Sequence, residues 1–266
     1  MPLPKSDRDD YVKTSLDLKA KRFEAQRGCR FNHEVFTDMK SLLTWLATKL
    51  ETKKQQKKHE RYYVALRLSQ HWLSLVFSIG RHKPRCFILD STLSQFTDTE
   101  AERIGGLMAK HGGHVYHCNS GVQKNSSSCS TYALSFLFKL AKYHPNIFAY
   151  LNLALSTQRT GNVTKVDCTF LPPELVKDCQ DHKLLAEYLQ KSNFFCLSAT
   201  KHGFFANRSE NQSAAKALQA YVDAHEKTET NRAQQVRWHN DGIAQKQAKY
   251  EARVKLYTAP IHTSMR

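Results

Sequence analysis

The sequence predicts an α+β fold, with a helix, then antiparallel strands, then one buried helix, and further helices toward the C-terminal end. The hydrophobic period changes from helical spacing over residues 33–52 to strand-like runs at 62–68 and 72–79. Residues 129–143 are apolar on nearly every side, which is typical of a helix buried in a core. These two observations predict a sheet covered by a helix that has little contact with water.

The first 61 residues are predicted to contain a flexible leader, one helix and a charged segment. Residues 1–30 are polar and basic, and we predict a flexible leader there, compatible with a secretion signal. Residues 33–52 carry four leucines at helical spacing and predict an amphipathic helix. Residues 53–61 are a charge run, which we interpret as a solvated helix end or linker.

The rest of the chain is predicted to contain four strands and four helical segments. Strands are predicted at 62–68, 72–79, 86–89 and 114–118, with a turn at 80–84 between the second and third. Helical patterns lie at 98–111, 129–143, 174–188 and 214–257, the last of them strongly polar.

The composition is basic. The chain of 266 residues has 40 Lys and Arg against 24 Asp and Glu, a formal net charge of +16. Such a charge predicts an anionic partner, which leaves nucleic acid, membrane headgroups and a polyphosphate open. The longest apolar run is far shorter than a membrane span, and the N-terminal residues lack the apolar stretch of a secretory signal.

Seven cysteines are scattered along the chain, and none forms a CxxC pair. An odd number at irregular spacing predicts neither a disulfide framework nor a structural zinc site. We therefore expect free thiols, no bound metal, and a reducing compartment.

Three polar positions stand out against the apolar elements. His71 opens one predicted strand, and Asp90 closes the next strand along the chain. Because those two ends of an antiparallel hairpin lie at the same edge of a sheet, Asp90 can accept from one imidazole nitrogen of His71 and fix its tautomer. The other nitrogen is then free to act as a base.

The third position is Cys129, at the start of the buried helix. Backbone N–H groups at a helix N-terminus and a nearby imidazolium both stabilise a thiolate. Gln123 lies six residues earlier in the sequence. Its amide and the backbone N–H of Cys129 are candidate donors of an oxyanion hole. The combination predicts nucleophilic catalysis by a cysteine.

These residues resemble a known family. The order His71, Asp90, Gln123 and Cys129 is similar to that of the YopJ family of bacterial effector acetyltransferases. The segment at 122–142 also resembles the nucleophile segment of that family. The resemblance implies the Cys-His-acid core of the ubiquitin-like-protein proteases, a papain-like fold. We then expect a mainly antiparallel central sheet, the cysteine-bearing helix buried against it, and an added helical regulatory region.

The resemblance also implies the partners. Members transfer acetyl from acetyl-CoA to Ser, Thr or Lys of host proteins, are activated by inositol hexakisphosphate (IP6), and act in the host cytoplasm after secretion by a bacterium. Lys177 falls where members carry an autoacetylated lysine, although Asp178 follows it where the family usually has His. Lys177 and Arg208 are candidates for contacts with the activator or cofactor.

The implied domains are a catalytic core over residues 31–160 and a C-terminal part over 161–266. The second part would complete the core and form the helical region that binds cofactor and activator. Two other functions stay open. One is a ubiquitin-like-protein cysteine protease of the same clan, and the other is a non-catalytic nucleic-acid or membrane binder that uses the basic segment 232–257. The resemblance favours the transferase and implies that nucleic acid is not a partner.

Overall fold

A central mixed sheet organises the chain. The computed structural model describes residues 5–28, 30–52, 59–80, 83–93, 96–123, 128–143, 146–155, 161–176, 179, 184, 187–188 and 245–252. Within them six strands pair in chain order: β1 (Asn32–Phe36), β2 (Glu60–Leu68), β3 (His71–Ile79), β4 (Arg85–Asp90), β5 (His114–Asn119) and β6 (Val163–Lys165). The helices are α1 (Lys5–Arg27), α2 (Met39–Thr52), α3 (Phe96–Ala109), α4 (Cys129–Tyr143), α5 (Ile147–Ala154) and α6 (Pro173–Val176). A 3₁₀ turn spans Cys168–Phe170, and residues 245–252 are helical.

The strand directions correct one expectation. The β2–β3 and β3–β4 pairs are antiparallel, but the β1–β2, β4–β5 and β5–β6 pairs are parallel, so the described sheet is not mainly antiparallel. The reason is the connections. Short turns join β2 to β3 and β3 to β4, whereas α2 crosses from β1 to β2 and α3 crosses from β4 to β5, and such crossovers produce parallel neighbours.

Helices cover both faces of this sheet. The side chains of β3 alternate, so that Trp72 and Val76 enter a core shared with α4, while Leu73 and Leu75 enter a core shared with α2. Tyr132, Phe136 and Leu140 are among the α4 side chains buried in the first core. The predicted burial of this helix is therefore observed, and it fixes α4 against the strand that begins at His71.

The N-terminal segment differs from its prediction. Residues 5–27 do not form a flexible leader, because α1 packs on α4 and β1 and buries Tyr11, Val12 and Leu16. An ion pair of 3.0 Å between the Asp9 carboxylate and the Arg67 guanidinium also ties this helix to β2. Charged residues separate the few apolar positions of α1, and this spacing hid its buried face in the sequence.

Strand β1 was also missed. It occupies the first part of the segment predicted as one helix over 33–52, and α2 begins only at Met39. All five residues of β1 are partly exposed, so its sequence lacks the apolar alternation of a half-buried strand. The Asp38 side chain accepts a hydrogen bond of 2.7 Å from the backbone N–H of Ser41, which caps α2 where the strand has ended.

Part of the C-terminal segment joins the core. Strand β6 pairs with β5, and Leu171 and Leu175 pack in the same cluster as α4. The boundary at residue 160 and a binding region within 161–266 stay predictions. No helix in the described part of the chain has the length and apolar character needed to cross a bilayer.

Candidate active site

His71 and Asp90 meet at one edge of the sheet. Strand β3 begins at His71, β4 ends at Asp90, and the two strands are antiparallel neighbours. The His71 Nε2 atom lies 2.7 Å from Asp90 Oδ1, which is a hydrogen-bond distance. The hairpin geometry expected from the sequence therefore brings these two side chains together.

The Asp90 carboxylate is held from several sides. Its side chain is fully buried, and Oδ1 accepts hydrogen bonds from the Thr92 backbone N–H at 2.8 Å and the Thr92 hydroxyl at 2.9 Å. The Asp90 backbone carbonyl accepts from the Ser120 hydroxyl at 2.6 Å. The two Thr92 contacts restrain the rotation of the carboxylate, and the Ser120 contact fixes the backbone that carries it, so that the oxygen facing His71 stays in place.

The imidazole of His71 is biased toward its charged form. Burial alone lowers the pKa of His71, but hydrogen bonds and charge interactions with Asp90 and Cys129 outweigh burial and raise the pKa to about 9. The side chain keeps 25% of its surface exposed, which leaves room for a ligand beside the ring. Since Nε2 faces Asp90, Nδ1 is the nitrogen left for Cys129.

Cys129 is the first residue of α4 and is 3% exposed. The Sγ atom lies 3.6 Å from the backbone carbonyl of Gln70, the residue before His71. The hydroxyl of Ser74, on β3, donates a hydrogen bond of 3.0 Å to the Ala133 carbonyl in the second turn of α4. This bond couples the position of the cysteine helix to the strand that carries the histidine.

Gln123 is fixed by the residue that follows the acid. The Ser91 hydroxyl donates to Gln123 Oε1 at 2.6 Å, and the Gln123 backbone N–H donates to the Ser91 carbonyl at 2.8 Å. Because Oε1 is occupied, the amide orientation is set and its NH₂ group turns away from Ser91. Ser91 and Thr92 were not predicted as site residues, and the signal for both was their position directly after Asp90.

The remaining candidates are not placed. Lys177 and Arg208 lie outside the described residues. Within the described part of the chain, no group of three or more His, Cys, Asp and Glu side chains could hold a metal ion. The cysteines described there, at 86, 118, 129, 168 and 179, are all free thiols.

Comparison with known proteins then decides the family. The family model of YopJ serine/threonine acetyltransferases matches residues 13–264, almost the whole chain. The chain belongs to the YopJ acetyltransferase family. As a YopJ-family protein it is an acyltransferase, and the family predicted from the sequence is confirmed. No sequence match was found among the curated proteins.

Solved structures are similar to this YopJ-family chain in fold. An AvrA structure with IP6 and CoA superposes with a TM-score of 0.52 at 16% identity, covering 69% of this chain and 71% of AvrA. A HopZ1a structure in complex with IP6 has a TM-score of 0.47 at 12% identity and covers 68% of this chain and 69% of HopZ1a. The AvrA likeness confirms the predicted α+β fold class.

Proposed function

We propose that this protein is a bacterial effector that moves acetyl from acetyl-CoA, through a Cys129 thioester, to Ser, Thr or Lys side chains of host proteins. The supporting observation is the hydrogen bond of 2.7 Å between His71 and Asp90, beside Cys129 at the head of α4. In a YopJ-family chain this set supplies a nucleophile, a base and an orienting acid. We place its action in the host cytoplasm.

In the first half-reaction the Cys129 thiolate attacks the thioester carbonyl of acetyl-CoA. The new C–S bond forms on Cys129, the C–S bond to CoA breaks, and the CoA sulfur takes the proton of the His71 imidazolium. We assign the Gln123 amide and the Cys129 backbone N–H as donors to the carbonyl oxygen as it becomes negative. Acetyl-Cys129 and a neutral His71 remain.

In the second half-reaction the neutral His71 accepts the proton of the acceptor hydroxyl or amine, which attacks the Cys129 thioester. The thiolate leaves, and the thiolate–imidazolium pair is restored. Since Cys129 contributes to the raised pKa of His71, its acetylation removes a thiolate that holds the proton on the ring. The ring is then better suited to act as a base at neutral pH.

We also propose activation by IP6. The AvrA neighbour was solved with IP6 and CoA, and the +16 charge of this chain suits a polyanion that needs several Lys and Arg partners. We assign the activator and cofactor region to residues 161–266, with Lys177 and Arg208 as candidate contacts and Lys177 as the candidate autoacetylation site.

The experiment is acetylation of the full chain with radiolabelled acetyl-CoA, with and without IP6. We expect label on the protein and a higher rate with IP6. A cysteine protease of the same clan would use the same three residues, so cleavage of a ubiquitin-like fusion protein is measured in parallel. Cleavage of the fusion without any labelling would overturn the transferase and support the protease.

The proposed role of Gln123 in the oxyanion hole can be tested by substituting Ser91. Ser91→Ala removes the hydroxyl that fixes the Gln123 amide, and we expect kcat for acetyl transfer to fall about tenfold with KM unchanged, because donors at an oxyanion act in the transition state. Ser91→Thr keeps a hydroxyl and should restore most of kcat. Equal losses in the two variants, or a change in KM alone, would contradict a positioning role.

A further inference from the structure

A basic cavity lies at the end of the sheet away from His71. Its volume is about 330 Å³, and its lining includes His59, Arg61, Ser78, Lys83 and Arg85. No Asp or Glu is among the described residues that line it. Ser78 is seven residues beyond His71 on β3, which places the cavity about 23 Å along the strand from the histidine.

The sheet register brings the cationic residues together. Arg61 on β2 pairs with Ser78 on β3, and Ser78 pairs with Arg85 on β4, so the three side chains point to the same face. The two arginines lie two strand spacings apart, about 10 Å. Like charges at that separation repel each other unless an anion lies between them.

In the described part of the chain, no Asp or Glu carboxylate supplies an anion between these arginines. There, ion pairs with Asp or Glu involve other cations, Arg67 with Asp9, Arg103 with Glu100 and Lys165 with Asp98, and none involves Arg61, Lys83 or Arg85. The Arg61 side chain has a hydrogen bond with Tyr63, but its Nε atom is buried without a hydrogen-bond partner among the described residues. A buried N–H donor without a partner is costly, and a bound anion oxygen would supply one.

The cavity wall also includes the start of α5. Asn146, Phe148 and Ala149 line it, and the backbone N–H groups of Ala149 and Tyr150 both donate to the Asn146 carbonyl. The N–H groups that precede them have no acceptor within the helix, because the first turn of a helix leaves its donors unpaired. Backbone donors and the positive end of the helix dipole favour an anion there.

We propose that this cavity binds the phosphate group of a ligand, with Arg61 and Arg85 on opposite sides and Lys83 at the rim. Phosphate oxygens match the fork of an arginine in pairs, and Ser78 offers one hydroxyl donor between the arginines. The group can belong to a soluble phosphate ester or to a lipid headgroup. The inference does not rest on the proposed acetyl transfer.

The test is binding of inorganic pyrophosphate to the full chain by titration calorimetry. The double variant Lys83→Gln with Arg85→Gln should raise Kd at least tenfold. The charge-matched control, Lys40→Gln with Lys110→Gln, changes two exposed lysines elsewhere and should leave Kd unchanged. Equal weakening in both double variants, or no saturable binding by the unmodified chain, would overturn the proposal.

A second measurement needs no variant. Saturating pyrophosphate should slow the acetylation of Lys83 by an amine-reactive ester, followed by peptide mass, and leave Lys110 unaffected; equal protection of the two lysines counts against the site. Sedimentation with phosphatidylcholine vesicles, with and without phosphatidic acid, shows whether the bound phosphate group belongs to a lipid or to a soluble ester. Binding that needs phosphatidic acid and is lost in the Lys83/Arg85 variant identifies a lipid headgroup, and pyrophosphate binding alone identifies a soluble ester.

Discussion

Cys129→Ala abolishes acetyl transfer and leaves the fold in place. The sulfur is the only group of that side chain able to form a thioester, so we expect the rate to fall by at least about 10⁴-fold. The substitution removes one small buried atom at the first position of α4 and costs about 1 kcal/mol of stability. The measurement is the intact mass after incubation with acetyl-CoA, together with the rate of label transfer to an acceptor.

The matched control for Cys129 is Cys168→Ala. Cys168 is another free cysteine and is partly exposed, but it lies in the 3₁₀ turn rather than beside His71. Its variant should acetylate at the rate of the unmodified chain. An acetyl-thioester that still forms in folded Cys129→Ala, and disappears in Cys168→Ala, would show that Cys168 rather than Cys129 is the nucleophile.

Asp90→Asn lowers the rate by about 10⁴-fold, because an amide at this position favours the wrong tautomer of His71. It also removes the carboxylate whose hydrogen bond and charge, together with those of Cys129, raise the pKa of His71 to about 9. In the unmodified chain the raised pKa contributes stability that is present in full below about pH 6.5 and is lost as the pH rises through about 9. Asp90→Asn should therefore destabilise the protein more at pH 6 than at pH 10, by urea unfolding.

A turn elsewhere in the chain gives the control for Asp90. Asp167 Oδ1 accepts from the Thr169 backbone N–H and hydroxyl, both at 2.8 Å, which repeats the contacts of Asp90 with Thr92. Asp167→Asn changes the same kind of turn, and among the described residues no histidine forms a hydrogen bond or ion pair with Asp167. Its rate should match that of the unmodified chain. An unchanged rate in Asp90→Asn as well, with a loss of stability that is the same at pH 6 and pH 10, would reduce Asp90 to a turn residue.

The sequence predicted best where local pattern and topology agree. The strands from 62 to 89 are consecutive and joined by short turns, so the meeting of His71 with Asp90 followed from the hairpin alone. The apolar run from Cys129 to Tyr143 likewise indicated a buried helix before any contact was known. These features depend on neighbours in sequence, which a single chain displays.

Features that depend on distant partners were not predictable. Helix α1 buries Leu16 against a helix more than a hundred residues later, and its own composition gives no sign of that face. The parallel pairing of β4 with β5 depends on how α3 crosses the sheet. The contact of Ser91 with Gln123 joins two loops 32 positions apart, and no spacing rule connects them.

The strand order has a consequence for how the chain acquires its structure. Each described strand from β2 to β6 pairs with the strand made just before it, so the sheet can grow from one end during synthesis. Helix α1 is made first, yet one of its partners, α4, lies a hundred residues downstream. Closing that long loop is entropically slow and comes late. Strands β1 to β5 all precede Cys129 in the chain, so the strands that carry His71 and Asp90 are already made when the helix that begins at Cys129 is added to them.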